Sequence, residues 1–240
     1  MTPYTTLKEE ALEANKEIPL RKLALYTWGN VSAFDKDKGV FAIKPSGIPY
    51  DELTADDMVV MDLEGRIVEG KRKPSSDTPT HIELYKNFKG IGGVTHTHST
   101  YATSWAQAER CIPVFGTTHA DHSAHDIVCT PFIQKEEVER DYEKETGILI
   151  VRTFLNPSSL GLKREVLTPE ENPMVLVAGH GPFTWGKNAE KSVYNSAVLE
   201  EIAKMAYISL SLNPGLGELP SYIMQKHYNR KHGKNAYYGQ

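Results

Sequence analysis

Apolar positions follow a helical period at both ends of the chain, with short alternating or continuous apolar runs between. Residues 5 to 17, TTLKEEALEANKE, are rich in good helix formers and predict an opening helix. LALYTWGNVSAFD, GVFAIKPSG and MVVMDLEGRIVEG predict short β-pieces, the last a hairpin turning at Glu64-Gly65. TPTHIELYKNF returns to helix, with Pro79 tolerated in a first turn. IGGVTH predicts a strand, and STYATSWAQAE a helix that Ser99 could cap. DIVCTPF predicts another short strand, QKEEVERDYEKE a polar helix, and residues 156 to 173 a loop. MVLVAGHG predicts a buried strand ending at His180. NAEKSVYNSAVLEEIAKMAYISL predicts the longest helix, capped by Asn188, with Val198, Ile202 and Met205 on its core face. LPSYIMQKHYNRKHG predicts a last helix before the tail KNAYYGQ. Strands enclosed by helices early, midway and late predict one α/β sandwich spanning 1–240.

Composition narrows the function classes. The 240 residues are 40% hydrophobic, enough for one substantial core. The net charge of -4 and scattered basic residues argue against nucleic acid as a partner but leave room for a small phosphate. No apolar stretch approaches the roughly 20 residues a membrane span needs, so no membrane partner is expected. The two cysteines, Cys111 and Cys129, lack zinc-like spacing, and no apolar leader opens the chain. A reducing, cytoplasmic setting with inert thiols is the expectation.

Candidate chemistry centres on histidine. Side chains at i and i+2 of a strand share a face, so VTHTH would set His96 and His98 side by side. Neutral imidazoles so placed suit zinc; the competing reading is two ordinary polar residues at a strand end. VLVAGHGPF ends another apolar run at His180, the leading third ligand, and Asp77 in KPSSDTPTH offers a carboxylate. HADH at residues 119 to 122 only faintly matches binuclear hydrolases. The chain has no G-x-S-x-G, G-x-G-x-x-G or P-loop motif. Three small-residue turns could admit an anion: Gly29 and Asn30; Lys44, Ser46 and Gly47; Ser75 and Ser76. Each alone reads as an ordinary turn.

TWGNVS, IKPSG, KPSSDTPTH, HTHS, GTTHAD, GHGPFTWG and KHYNRKHGKNAYYGQ together resemble the L-ribulose-5-phosphate 4-epimerases of the class II aldolase/adducin-like superfamily. The resemblance runs from the first helix to the last residue and is weakest over 156–173. It implies an α/β/α three-layer domain with a central, mostly antiparallel sheet. It also implies a homotetramer with active sites between neighbouring subunits. His96, His98 and His180 match zinc (Zn2+) ligands, one ion per subunit, and Asp77 the acidic residue beside them. Manganese or cobalt would suit the same imidazoles. Gly29, Asn30, Ser46, Gly47, Ser75 and Ser76 match phosphate-binding positions, and a phosphate role suits Lys44. Asp121 and Tyr238 match an acid/base pair, and His227 a further site histidine. Sister aldolases of the fuculose- or rhamnulose-phosphate type carry glutamate where Asp77 stands, which leaves them as the rival reading. A non-catalytic binding module would be marked by loss of the histidines, which are all present.

The implied reaction explains why these groups are needed. Carbon 4 of ribulose 5-phosphate is not next to the carbonyl, so its proton is not acidic. Breaking the C3–C4 bond by retro-aldol chemistry leaves an enediolate and glycolaldehyde phosphate. Rotation of the aldehyde and re-addition give D-xylulose 5-phosphate. Two proton carriers are expected, one for each face. L-arabinose catabolism is the expected setting.

Overall fold

The computed structural model describes residues 2–239. Seven strands form one sheet: β1 (Asn30–Asp35), β2 (Val40–Ile43), β3 (Val59–Asp62), β4 (Ile67–Glu69), β5 (Gly93–His96), β6 (Met174–Val177) and β7 (Gly181–Gly186). Their order is β4-β3-β2-β1-β5-β7-β6, and every ladder is antiparallel. The helices are α1 (Thr5–Leu20), α2 (Thr78–Asn87), α3 (Thr100–Gln107), α4 (Thr117–Ala120), α5 (Lys135–Leu155), α6 (Ala189–Leu212) and α7 (Ser221–His232).

Strand alternation splits the apolar side chains between two faces. Phe41, Ile43, Met61, Val94, Phe183 and Trp185 face α2 and α5, meeting Ile82, Tyr85, Ile150 and Phe154. On the other face, Val31, Ala33, Ala42 and Val60 pack with Leu7, Ala11 and Ile18 of α1. Met174 and Leu176 meet Trp105 of α3 and Leu199 and Ile202 of α6 there. These are the three α/β/α layers expected from the sequence. The start of α6 lies so close to the sheet that a Cβ on Gly93 would come within 2.5 Å of Ala189 backbone atoms.

Local signals read well: the Glu64-Gly65 turn joins β3 to β4, and Asn188 caps α6 by accepting the Lys191 amide at 2.8 Å. Several expectations are corrected. The strand expected from Leu23 begins only at Asn30, leaving Leu25, Tyr26 and Trp28 exposed. DIVCTPF makes only single bridges, Ile127 to Ile112 and Cys129 to Leu176. The polar helix continues as α5 to Leu155, because Leu149, Ile150 and Phe154 are buried. The 156–173 loop contains a 3-10 turn at Pro157–Leu160. Ser99 stands at the start of α3 without capping it. The Glu200 carboxylate instead accepts the Tyr101 and Ala102 amides, each at 2.9 Å, and its charge suits a helix N-terminus. Met205 is 41% exposed, and the buried stripe of α6 runs instead through Leu199, Ile202, Ala203 and Ala206. Cys111 and Cys129 are both free thiols. No helix among the described residues is long and apolar enough to cross a membrane.

Candidate metal centre

His96 is the last residue of β5, and its buried ring stacks on Phe183 with centroids 4.2 Å apart. Its Nδ1 lies 3.0 Å from the Pro182 carbonyl. Donation there fixes the tautomer and leaves the Nε2 lone pair facing outward. His98 lies beyond the end of β5, so strand alternation does not place it. Its Nε2 is nevertheless 3.1 Å from His96 Nε2. His180 does not end a strand: it occupies the tight turn between β6 and β7, its amide donating to Val177 O at 3.0 Å. Gly181 is required after it, because a Cβ there would stand 2.8 Å from Thr97 O.

The three histidines offer ligand atoms within 4.8 Å of one another. Ligands on a tetrahedral zinc at about 2.05 Å would stand about 3.3 Å apart, close to the His96–His98 separation. Two imidazole nitrogens facing at this range need a proton or a cation between them, and the donor set fits a divalent ion. His98 is exposed at the pocket mouth, yet partial enclosure and then His96 lower its pKa to about 4. Burial, then His96 and His98, lower that of His180 to about 3. Both rings are therefore neutral at pH 7, the form that ligates metal. Asp77 stands farther back than the imidazoles. Its Oδ2 accepts from Asn30 Nδ2 at 2.7 Å and is 4.0 Å from His96 Nε2.

The same pocket, about 620 Å3, is lined by Gly29, Asn30, Lys44, Ser46, Gly47, Ser75, Ser76, Asp77 and the three histidines. Lys44 is only 2% exposed. Its Nζ reaches Pro45 O at 3.4 Å and lies 4.9 Å over the Tyr50 ring, and burial lowers its pKa to about 8. Among the described residues no carboxylate acts on it, so an arriving anion would relieve a buried, uncompensated charge. The loops do not offer every amide that their small residues suggested. Ser46 N–H donates to Lys73 O at 2.9 Å and Ser75 N–H to Lys44 O at 3.0 Å, stitching the two turns together. From these two residues the hydroxyl protons remain for a ligand, Ser75 Oγ also accepting the Asp77 amide at 3.4 Å.

Sequence reasoning left Trp28, Tyr142 and Glu143 unassigned, and all three line the pocket. Tyr142 Oη is 3.3 Å from His180 Nδ1. It follows Asp141, where α5 departs from helical backbone angles. Only a lone tyrosine in a polar helix signalled it.

Asp121, His227 and Tyr238 stand apart from the histidine trio. Asp121 Oδ1 lies 3.1 Å from His227 Nδ1, and Tyr238 stacks near Arg230 on the same side. The adjacent His122 contacts Tyr194 of α6 and shares a pocket with Gly186, at the far end of β7 from His180. The five residue-to-residue steps along β7, at roughly 3.3 Å each, separate those ends by about 17 Å.

The model of the class II aldolase and adducin N-terminal domain matches residues 9–207. The chain belongs to that family. An L-fuculose 1-phosphate aldolase superposes with a TM-score of 0.74 at 26% identity, over 94% of this chain and 95% of that one. YgbL of Escherichia coli, assigned provisionally as an aldolase, epimerase or decarboxylase, shares the fold at TM-score 0.71 and 21% identity, over 94% and 99%. L-fuculose-1-phosphate aldolase of Thermus thermophilus shares it at 0.64 and 21%, over 88% and 98%. Class II aldolases are typically zinc-dependent, and the histidine trio of this family member could hold such an ion.

Proposed function

We propose that this chain is a zinc-dependent L-ribulose-5-phosphate 4-epimerase. The observation that carries the reading is one pocket holding both a three-histidine cluster and a buried lysine on which no carboxylate among the described residues acts. A ketose phosphate presents the matching pair: oxygens for a metal and a dianion for an ammonium.

A divalent ion held by the trio supplies Lewis acidity at the sugar carbonyl. Lys44 and the hydroxyls of Ser46, Ser75 and Ser76 hold the phosphate, so the aldehyde fragment stays bound while the C3–C4 bond is open. Anchored at that end, the fragment turns its other face before the bond re-forms. Asp121 and Tyr238 take the C4 hydroxyl proton in one direction and return it in the other. Their distance from their own chain's trio supports a homotetramer whose active sites lie between subunits, each pocket completed by a neighbour. The setting would be cytoplasmic L-arabinose catabolism.

A class II aldolase acting on fuculose or rhamnulose phosphate is the second reading, favoured by the 26% identity to a fuculose-phosphate enzyme. The short arm of Asp77, tied to Asn30, and the C-terminal string KHYNRKHGKNAYYGQ favour the epimerase. The test supplies L-ribulose 5-phosphate and follows D-xylulose 5-phosphate, with and without chelator and added zinc. L-fuculose 1-phosphate and release of dihydroxyacetone phosphate form the parallel arm. Turnover in the second arm alone replaces the epimerase with the aldolase.

A further inference from the structure

Both members of the proposed acid/base pair are fastened to one residue of α7. Arg230 donates through Nε to Asp121 Oδ1 at 3.0 Å and through Nη2 to Oδ2 at 2.7 Å, a bidentate fork. Its guanidinium carbon lies 4.1 Å from the centre of the Tyr238 ring. Its carbonyl accepts the Tyr237 amide at 2.9 Å and the Tyr238 amide at 3.1 Å. No residue of α7 is fully buried, so polar links weigh heavily in setting where this helix and its tail sit. Three further links converge on the same spot. His227 Nδ1 is 3.1 Å from Asp121 Oδ1, His232 Nε2 is 2.9 Å from Asp121 O, and Lys231 Nζ is 3.0 Å from His122 Nε2.

We infer that Arg230 is the positioning residue of the acid/base pair. Its planar fork orients the Asp121 carboxylate, and its face and carbonyl fix where Tyr238 stands beside it. A lysine could supply the charge but not the fork or the flat stacking surface. The inference deepens the epimerase reading and rests on it for the roles of Asp121 and Tyr238. Among the described residues, the charged and titratable groups that meet Asp121 are His227, Arg230 and His232 from α7 and the adjoining His122, with Lys231 reaching His122 and Tyr238 reaching Arg230 behind them. Burial works against the charge on Asp121. Arg230 and then His227 outweigh it, holding the carboxyl below its ordinary value. Asp121 therefore enters the cycle as a base.

The test uses the full-length, metal-loaded protein with Arg230→Gln and Arg230→Lys. Metal content, kcat and KM for L-ribulose 5-phosphate are measured from pH 5 to 9. The Asp121 carboxyl is titrated by carbon-13 NMR, assigned with Asp121→Asn. In Arg230→Gln, kcat should fall at least about tenfold with KM within about threefold, as expected when the acid/base pair is displaced in the transition state and ground-state binding is kept. The acidic limb of kcat/KM and the Asp121 titration should both move upward by about one pH unit, with metal content unchanged. Arg230→Lys should restore the acidic limb but not the full kcat. Unchanged kcat and acidic limb in Arg230→Gln would overturn the inference. So would a loss of kcat with Asp121 titrating as in wild type, since Arg230 would then merely hold α7 in place. If the wild-type protein turned over no sugar phosphate, the functional reading would fail. The carboxyl titration would still decide whether Arg230 controls Asp121.

Discussion

Gly29 and Gly47 provide a matched pair for testing how the backbone sets the histidine trio. Both line the pocket, and both have left-handed backbones, with φ of 79° and 75°. Alanine at either position carries the left-handed penalty of roughly 1–2 kcal/mol. The two differ in surroundings. A Cβ on Gly47 meets nothing within 4 Å, whereas one on Gly29 stands 2.7 Å from His96 O. Reaching an ordinary contact of 3.4 Å requires a shift of about 0.7 Å. That shift falls on His96 itself, which is paired with Asn30 across β1 and β5. For a chain of this size about 1 kcal/mol moves Tm by roughly 2–4 °C, so Gly47→Ala should lose about 2–8 °C. Gly29→Ala should lose more and also bind zinc about 10–100-fold more weakly, as when a ligand's supporting shell is disturbed. Scanning calorimetry of the metal-free proteins and zinc competition against a chromophoric chelator measure the two effects. Equal Tm and equal zinc affinity in the two variants would refute the claim that Gly29 is kept for the approach of the His96 carbonyl.

Other outcomes follow from the same geometry. His98→Asn should lose bound metal and all C–C cleavage while keeping its far-ultraviolet circular dichroism; retained metal would remove His98 from the centre. Lys44 has a pKa of about 8 in the folded protein against an ordinary 10.5, so the unbound site loses its cation as pH rises through 8. The KM for the sugar phosphate should rise over that range and be high and flat in Lys44→Met; a flat wild-type KM from pH 7 to 9 removes the phosphate role. The stability effect of Lys44 has the opposite sign: the penalty of burying its charge is present below pH 8 and is relieved between 8 and 10.5. Tyr238→Phe should keep its metal and lose most epimerisation. Refolding it together with His98→Asn should restore activity through hybrid sites; no recovery from verified mixed oligomers would argue that each site belongs to one chain.

Several features were legible in the sequence because their causes are local. Helix formers made α1, Pro79 marked the first turn of α2, Asn188 capped α6, and Glu64-Gly65 turned a hairpin. The three histidines and the small-residue turns stood out by residue type, and the structure gathers them into one pocket. Their geometry had other sources. His98 meets His96 from beyond the strand, and His180 joins them because β6 and β7 fold into a hairpin around it. Strand β5 sits between β1 and β7, a pairing of segments far apart in the chain that no local period encodes. Tertiary contact also engaged the Ser46 and Ser75 amides, set Tyr142 against His180, and used Glu200 to cap α3. It placed Asp121 and Tyr238 on Arg230, at the opposite end of β7 from the histidine trio. Periodicity and propensity report energies within a few residues. Which distant surfaces pack together depends on shape and pairing across the whole chain, and that packing decided where the site's parts converge.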